Sequence, residues 1–308
     1  MCDDHSEADN ARWLASRQTI DRRQFGMAGA SAAALALFPG CASGADSDAD
    51  AGADKAGKDA AGLTTASHSV TITTPDGTAD AFFVHPAEGR HPAVIMWPDI
   101  AGLREAYQAM GTRLAAAGYA VLVVNQYYRS APAPVLQSFA EWRTDAGQAR
   151  LKPMIAAITP AGTVSDAGAF VDWLDTQASV DTAHKIGSCG YCMGGPFTIR
   201  TALARPGRVG AAASFHGANL VNDTPDSPDK QFAKIKAALL LAIAENDDSR
   251  DPAAKDKLKA AAQAASLPAE IEVYPAQHGW CTIDSPVYDK AQADKAWGRM
   301  LTLYEKYL

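Results

Sequence analysis

A chain of 308 residues with 47% hydrophobic and 20% charged side chains can bury the core of one large α/β domain and still leave sequence for an extension. Its net charge of -7, with no cluster of Lys and Arg, excludes a partner held by bulk attraction to a polyanion, so nucleic acid is not expected. Five cysteines (Cys2, Cys41, Cys189, Cys192 and Cys281) are too few and too unevenly spaced for a disulfide-stapled scaffold.

In chain order, Asp21-Arg22-Arg23-Gln24-Phe25-Gly26-Met27 leads into an apolar, Ala-rich stretch from Gly26 to Phe38, closed by Pro39-Gly40-Cys41. This resembles a twin-arginine export signal. The apolar stretch, about 13 residues, is shorter than the roughly 20 that span a bilayer, which fits a signal better than a transmembrane helix. An N-terminal helix packed on the domain is the alternative. Phe38-Pro39-Gly40-Cys41 also resembles a loose lipobox, which would make a lipidated Cys41 a membrane tether; cleavage near Ala42 to Ala45 is the other outcome. Residues 42–63 are almost all Ala, Gly, Asp, Ser and Lys, too polar and small to offset the entropy of ordering them. The expected organisation is an export signal at 1–41, a tether at 42–63, and a folded domain at 64–308 working in the periplasm or cell envelope.

Residues 69–85 alternate polar and apolar around Thr74-Pro75-Asp76-Gly77, as in an antiparallel hairpin. Short apolar runs follow at Ala93 to Trp97, Ala120 to Val124, Lys185 to Cys189, Gly210 to Phe215, Ala238 to Ala244 and Ile271 to Tyr274. Between them lie segments of helical periodicity at 105–117, 163–177 and 253–266, and a last helix is expected at 286–306. Apolar strands alternating with helices predict an α/β fold with a mostly parallel central sheet covered on both faces.

The strand Lys185 to Cys189 runs into Gly190-Tyr191-Cys192-Met193-Gly194-Gly195, with a helical stretch from Pro196. Gly-x-Cys-x-Gly between strand and helix is the pattern of a nucleophile elbow, whose sharp turn leaves no room for a Cβ at the flanking glycines. Cys192 would stand at a helix start, where the dipole favours a thiolate. A carboxylate follows another strand end in Glu245-Asn246-Asp247-Asp248, and a histidine follows the next in Gln277-His278-Gly279-Trp280. The order nucleophile, acid, histidine is that of α/β-hydrolases, and it would bring the three side chains to one edge of one sheet. A thiol needs such a base to react at neutral pH.

On these pieces the chain, from about 69 to 308, resembles the dienelactone hydrolase (carboxymethylenebutenolidase-like) family of α/β-hydrolases. The resemblance implies that Cys192 attacks the carbonyl of a small ester or lactone, His278 handles the proton and Asp247 fixes the imidazole tautomer, with Asp248 the competitor for that place. It implies no cofactor and no metal. The oxyanion would be met by the backbone N–H groups of Met193 and of Ile100, in Pro98-Asp99-Ile100-Ala101-Gly102. Asp99 stands where the family usually has a Glu beside the resting thiol; capping the following helix is its other reading. Asn125-Gln126-Tyr127-Tyr128-Arg129 resembles the family segment whose Arg binds a substrate carboxylate, with a solvated surface Arg the alternative. The family's second such Arg is missing from Cys281-Thr282-Ile283-Asp284. Trp97, Trp142, Tyr128 and Trp280 are candidates for an apolar substrate pocket, or simply core.

Competing readings remain. Cys189-Gly190-Tyr191-Cys192 is also a Cys-x-x-Cys, the signature of an exported thiol–disulfide protein, although Cys189 lies in the strand rather than at the helix start. Cys189, Cys192, His216 and Cys281 could be assembled into a zinc site only against the usual spacings. His216 is expected beside the pocket or as a satisfied structural histidine. A binding protein on a hydrolase scaffold is the non-enzymatic reading.

Overall fold

The computed structural model describes residues 8–15 and 62–308. The arginine pair, the apolar stretch, Cys41 and almost all of the expected tether lie outside the described residues. Residues 8–15 form a helix, α1. The domain then runs β1 (Thr65–Thr74), β2 (Gly77–Pro86), β3 (Ala93–Trp97), α2 (Glu105–Ala116), β4 (Ala120–Val124), α3 (Phe139–Trp142), α4 (Asp145–Ala156), α5 (Pro160–Leu174) and β5 (Ile186–Tyr191). It closes with α6 (Gly195–Ala204), β6 (Val209–Phe215), β7 (Ala238–Ala244), α7 (Glu245–Arg250), α8 (Ala254–Ala264), β8 (Ala269–Tyr274) and α9 (Lys290–Tyr307).

One eight-stranded sheet has the order β1-β2-β4-β3-β5-β6-β7-β8. The β1–β2 hairpin and the β2–β4 pair are antiparallel, and every other pair is parallel. Successive residues of a strand face opposite sides, and β3 shows it: Ala93, Ile95 and Trp97 join one buried cluster, Val94 and Met96 the other. With both faces covered, the strands read as unbroken apolar runs.

The register aligns the strand ends. Trp97 lies beside Gly190, Tyr191 beside Phe215, and Ala244 beside Tyr274. The loops after β3, β5, β6, β7 and β8 therefore leave from one edge of the sheet, the edge at which open α/β sheets build their sites. Helices α3, α4 and α7 were not legible in the sequence. Thr144 caps α4 by accepting from the Gly147 N–H at 3.0 Å, a local signal that mixed polarity along the helix concealed.

Candidate active site

β5 carries the chain to Cys192, whose φ of +52° is a strained, left-handed conformation for a residue with a Cβ. The turn is held from several sides. The Cys192 N–H donates to Nδ1 of His216 at 3.1 Å, and its carbonyl accepts from the Ala218 N–H at 3.0 Å. The flanking glycines are required by closeness: a Cβ on Gly190 would strike the Gly194 carbonyl, and one on Gly194 would strike the carbonyls of Trp97 and Pro98. The same closeness presses the loop after β3 onto the elbow. Tyr127 bridges the two, donating to the Ile100 carbonyl at 2.7 Å and reaching Sδ of Met193 at 3.8 Å. Ile100 and Met193, the residues of the expected oxyanion donors, thus both adjoin Tyr127, one through its carbonyl and the other through its side chain.

His278 emerges after β8 with Nδ1 2.6 Å from Oδ2 of Asp247, which lies in the first turn of α7 after β7. Asp248 is turned away, with both oxygens on Lys255 at 2.7 and 2.9 Å. Asn246, which the sequence reading passed over, accepts the His278 N–H at 2.8 Å and so fixes the backbone of the His278 loop. The His278 carbonyl in turn accepts from Nδ2 of Asn10 at 2.9 Å, and Asp9 pairs with Arg250, so α1 packs against the His278–Asp247 side. A histidine bonded through Nδ1 to a carboxylate is left with Nε2 for proton transfer.

His216 links the two halves. Its ring centroid is 5.0 Å from that of His278 and 5.1 Å from that of Trp280. Burial, reinforced by His278, holds its imidazole well below 6.5, so it is neutral, with Nδ1 as acceptor and the proton on Nε2. Nε2 is buried with no partner among the described residues. Two cavities adjoin the site and share Ala218 and Asn219. One, of about 320 Å³, is lined by Asp247 and His278. The other, of about 410 Å³, is lined by Met193 and Phe197.

Several sequence expectations need correction. Asp99 does not stand free beside a thiol: Arg104 binds it through both oxygens at 2.8 and 3.0 Å, and its Oδ1 also accepts from the Ala101 N–H. Nor does it cap a helix, since the position before α2 is Arg104. Arg104 completes a buried chain by grasping Asp284 at 2.7 and 2.8 Å. Arg129 is likewise spent, on Asp166 at 2.7 and 2.8 Å and on Asp76. Tyr128 joins the same knot, donating to Asp166 at 2.7 Å, and burial together with Asp166 pushes its phenol up to about 12. Arg129 and Tyr128 therefore pin the β1–β2 hairpin to α5, away from both cavities. Trp280 is fully buried and stacked on Tyr274, so it supports His216 from beneath and cannot touch a substrate. Trp97, donating to Thr201, and Trp142 are core.

Cys192 is disulfide-bonded, whereas Cys189 and Cys281 are free thiols, so no Cys189–Cys192 bridge is present. Burial pushes the Cys189 thiol up to about 12. Among the described residues no group of three or more His, Cys, Asp or Glu side chains could hold a metal ion.

The fold finds its counterpart in a known family. The family model described as Dienelactone hydrolase family matches residues 79–308. The chain belongs to the dienelactone hydrolase family. A protein of Methylorubrum extorquens named "Putative carboxymethylenebutenolidase" is 28% identical over 244 residues, covering 77% of this chain and 80% of that one. The carboxymethylenebutenolidase of Rhodococcus opacus is 26% identical over 258 residues, covering 82% and 96%. A solved structure from Klebsiella pneumoniae named "Putative Dienelactone Hydrolase" shares the fold with a TM-score of 0.69 at 23% identity, covering 79% of this chain and all of the other. Family membership makes this dienelactone hydrolase relative a carboxylic ester hydrolase.

Proposed function

We propose that the chain hydrolyses a small ester or lactone through a Cys192 thiolate, with His278 as general base and acid, Asp247 orienting it, and the Ile100 and Met193 N–H groups receiving the oxyanion. The observation that carries this reading is the 2.6 Å contact of His278 Nδ1 with Asp247, on the same sheet edge as a left-handed Cys192. His278 takes the thiol proton, and the C–S bond forms as the carbonyl oxygen becomes an oxyanion. Collapse breaks the C–O bond, and His278 returns the proton to the departing alkoxide, leaving a thioester. Water then attacks the thioester, His278 taking its proton and giving it back to sulfur. Asp247, by accepting from Nδ1–H, keeps Nε2 as the working nitrogen and stabilises the imidazolium.

Attack requires a free thiol, so the disulfide at Cys192 must first be opened by a dithiol reductant, two electrons and two protons converting the S–S bond to two thiols. A thiol–disulfide function using Cys189 with Cys192 is disfavoured, because Cys189 is free, buried and hard to ionise. The Arg22–Arg23 pair and the apolar stretch support an exported enzyme in the periplasm or cell envelope, with Cys41 a candidate lipid anchor. Replacing both arginines by lysine should then retain the protein in the cytoplasm.

The deciding experiment is hydrolysis of an aryl acetate, a dienelactone and a neutral lactone by the reduced full-length chain, with and without prior iodoacetamide. Turnover lost on alkylation, with label on Cys192, supports the reading. Undiminished turnover by Cys192→Ala refutes it.

A further inference from the structure

Arg129 is bound to Asp166 and Asp76 and lines neither cavity. A second cation lies much closer to the chemistry. Arg200 is on α6, the helix that begins at the elbow, and lines the 410 Å³ cavity together with Met193, whose N–H is a proposed oxyanion donor.

Three features set Arg200 apart from an ordinary surface arginine. Its side chain is half-buried, and its Nε is fully buried with no hydrogen-bond partner among the described residues, which is costly for a group made to donate. Helical side chains lean toward the helix N-terminus, so Arg200 is directed back along α6 toward the elbow, and its guanidinium carbon lies 5.3 Å from the Phe197 ring centroid. Phe197, Ile155 and Ile158 give the cavity apolar surface, and Asn219, Asn222 and Thr224 its polar surface. Asp226, which lines the same cavity, acts on Arg200 through its charge, while its own carboxylate bonds Thr224.

We propose that Arg200 is a specificity-determining residue that anchors an anionic group on the part of the substrate remote from the reacting carbonyl. The inference rests on the hydrolase reading above. The guanidinium lies over the ring of Phe197, in the first turn of α6 beyond the elbow. The preferred substrate is therefore an ester whose carboxylate is separated from the scissile carbonyl by a short apolar span such as a four-carbon methylene chain. The span packs on Phe197 and Ile155, and the guanidinium of Arg200 meets the carboxylate with its two terminal nitrogens.

The test compares 4-nitrophenyl hydrogen adipate with its methyl-capped, neutral analogue, using the reduced full-length protein. Wild type should favour the anionic ester. Arg200→Gln should lower the ratio of the two kcat/KM values about 10- to 100-fold, chiefly through KM, Arg200→Lys should lose less, and Arg129→Gln should leave the ratio where it is. An equal response of both esters to Arg200→Gln, or a ratio lowered as much by Arg129→Gln, overturns the proposal. Calorimetric binding of monomethyl adipate to Cys192→Ala needs no turnover and separates the anchor from the chemistry. Affinity weakened about 10- to 100-fold by adding Arg200→Gln supports the anchor even if no ester is cleaved. Unchanged affinity refutes it even if esters are cleaved.

Discussion

His216 holds the elbow by one hydrogen bond, and its removal tests how Cys192 is positioned. Nδ1 accepts the Cys192 N–H at 3.1 Å inside a fully buried cluster, while Cys192 holds a φ of +52°. A left-handed residue with a Cβ costs about 1–3 kcal/mol, and a buried N–H left without an acceptor costs about 1–3 kcal/mol more. His216→Phe keeps a ring of similar size but removes the acceptor, so the competent elbow becomes a minor state by that second amount. With tenfold per 1.4 kcal/mol, kcat/KM for an aryl acetate should fall about 5- to 150-fold. His216→Asn, whose Oδ1 can take the place of Nδ1, should retain activity within about threefold. Loss by both variants alike, or by neither, refutes the positioning role. A second readout follows from the depressed imidazole. In the unfolded chain this histidine binds a proton below about pH 6.5, and in the folded chain it does not, so stability declines as pH falls through that value, by about 1.4 kcal/mol per unit for this one group. Urea titrations at pH 7.5 and 5.5 should show a smaller acid loss for His216→Asn than for wild type.

Asp247→Asn should lower kcat about 10²- to 10⁴-fold without unfolding the domain, whereas Asp248→Asn, which breaks only a lysine pair, should stay within a few-fold. Arg104→Met strands the buried Asp99 carboxylate and should cost about 3–5 kcal/mol in urea unfolding, part of it recovered by adding Asp99→Asn; a loss below about 1 kcal/mol would show that the buried chain is not structural. Esterase activity should appear only after reduction with a dithiol, and Cys189→Ala should keep most of it; full activity in the oxidised protein would remove Cys192 from the mechanism.

The chain pattern by itself determined the sheet and its chemistry-bearing edge. Strands buried on both faces must be apolar throughout, which made β3 to β7 visible, and close backbone approach admits only glycine at 190 and 194, which marked the elbow. The triad candidates were visible because each follows a strand end, so all three come to one edge of the sheet. What only tertiary structure decided is how each charge is spent. Arg129 and Asp99 look available in sequence because nothing local reveals their partners, Asp166 lying 37 residues from the one and Arg104 five from the other in a loop of unpredictable path. Asp284 reaches Arg104 across 180 residues, a distance at which no sequence periodicity operates. The same holds for His216, Asn246 and Arg200, whose roles arise from the side of a loop or helix each one faces. An ionic or hydrogen-bonding group is defined by its partner, and partners are chosen by packing rather than by sequence spacing.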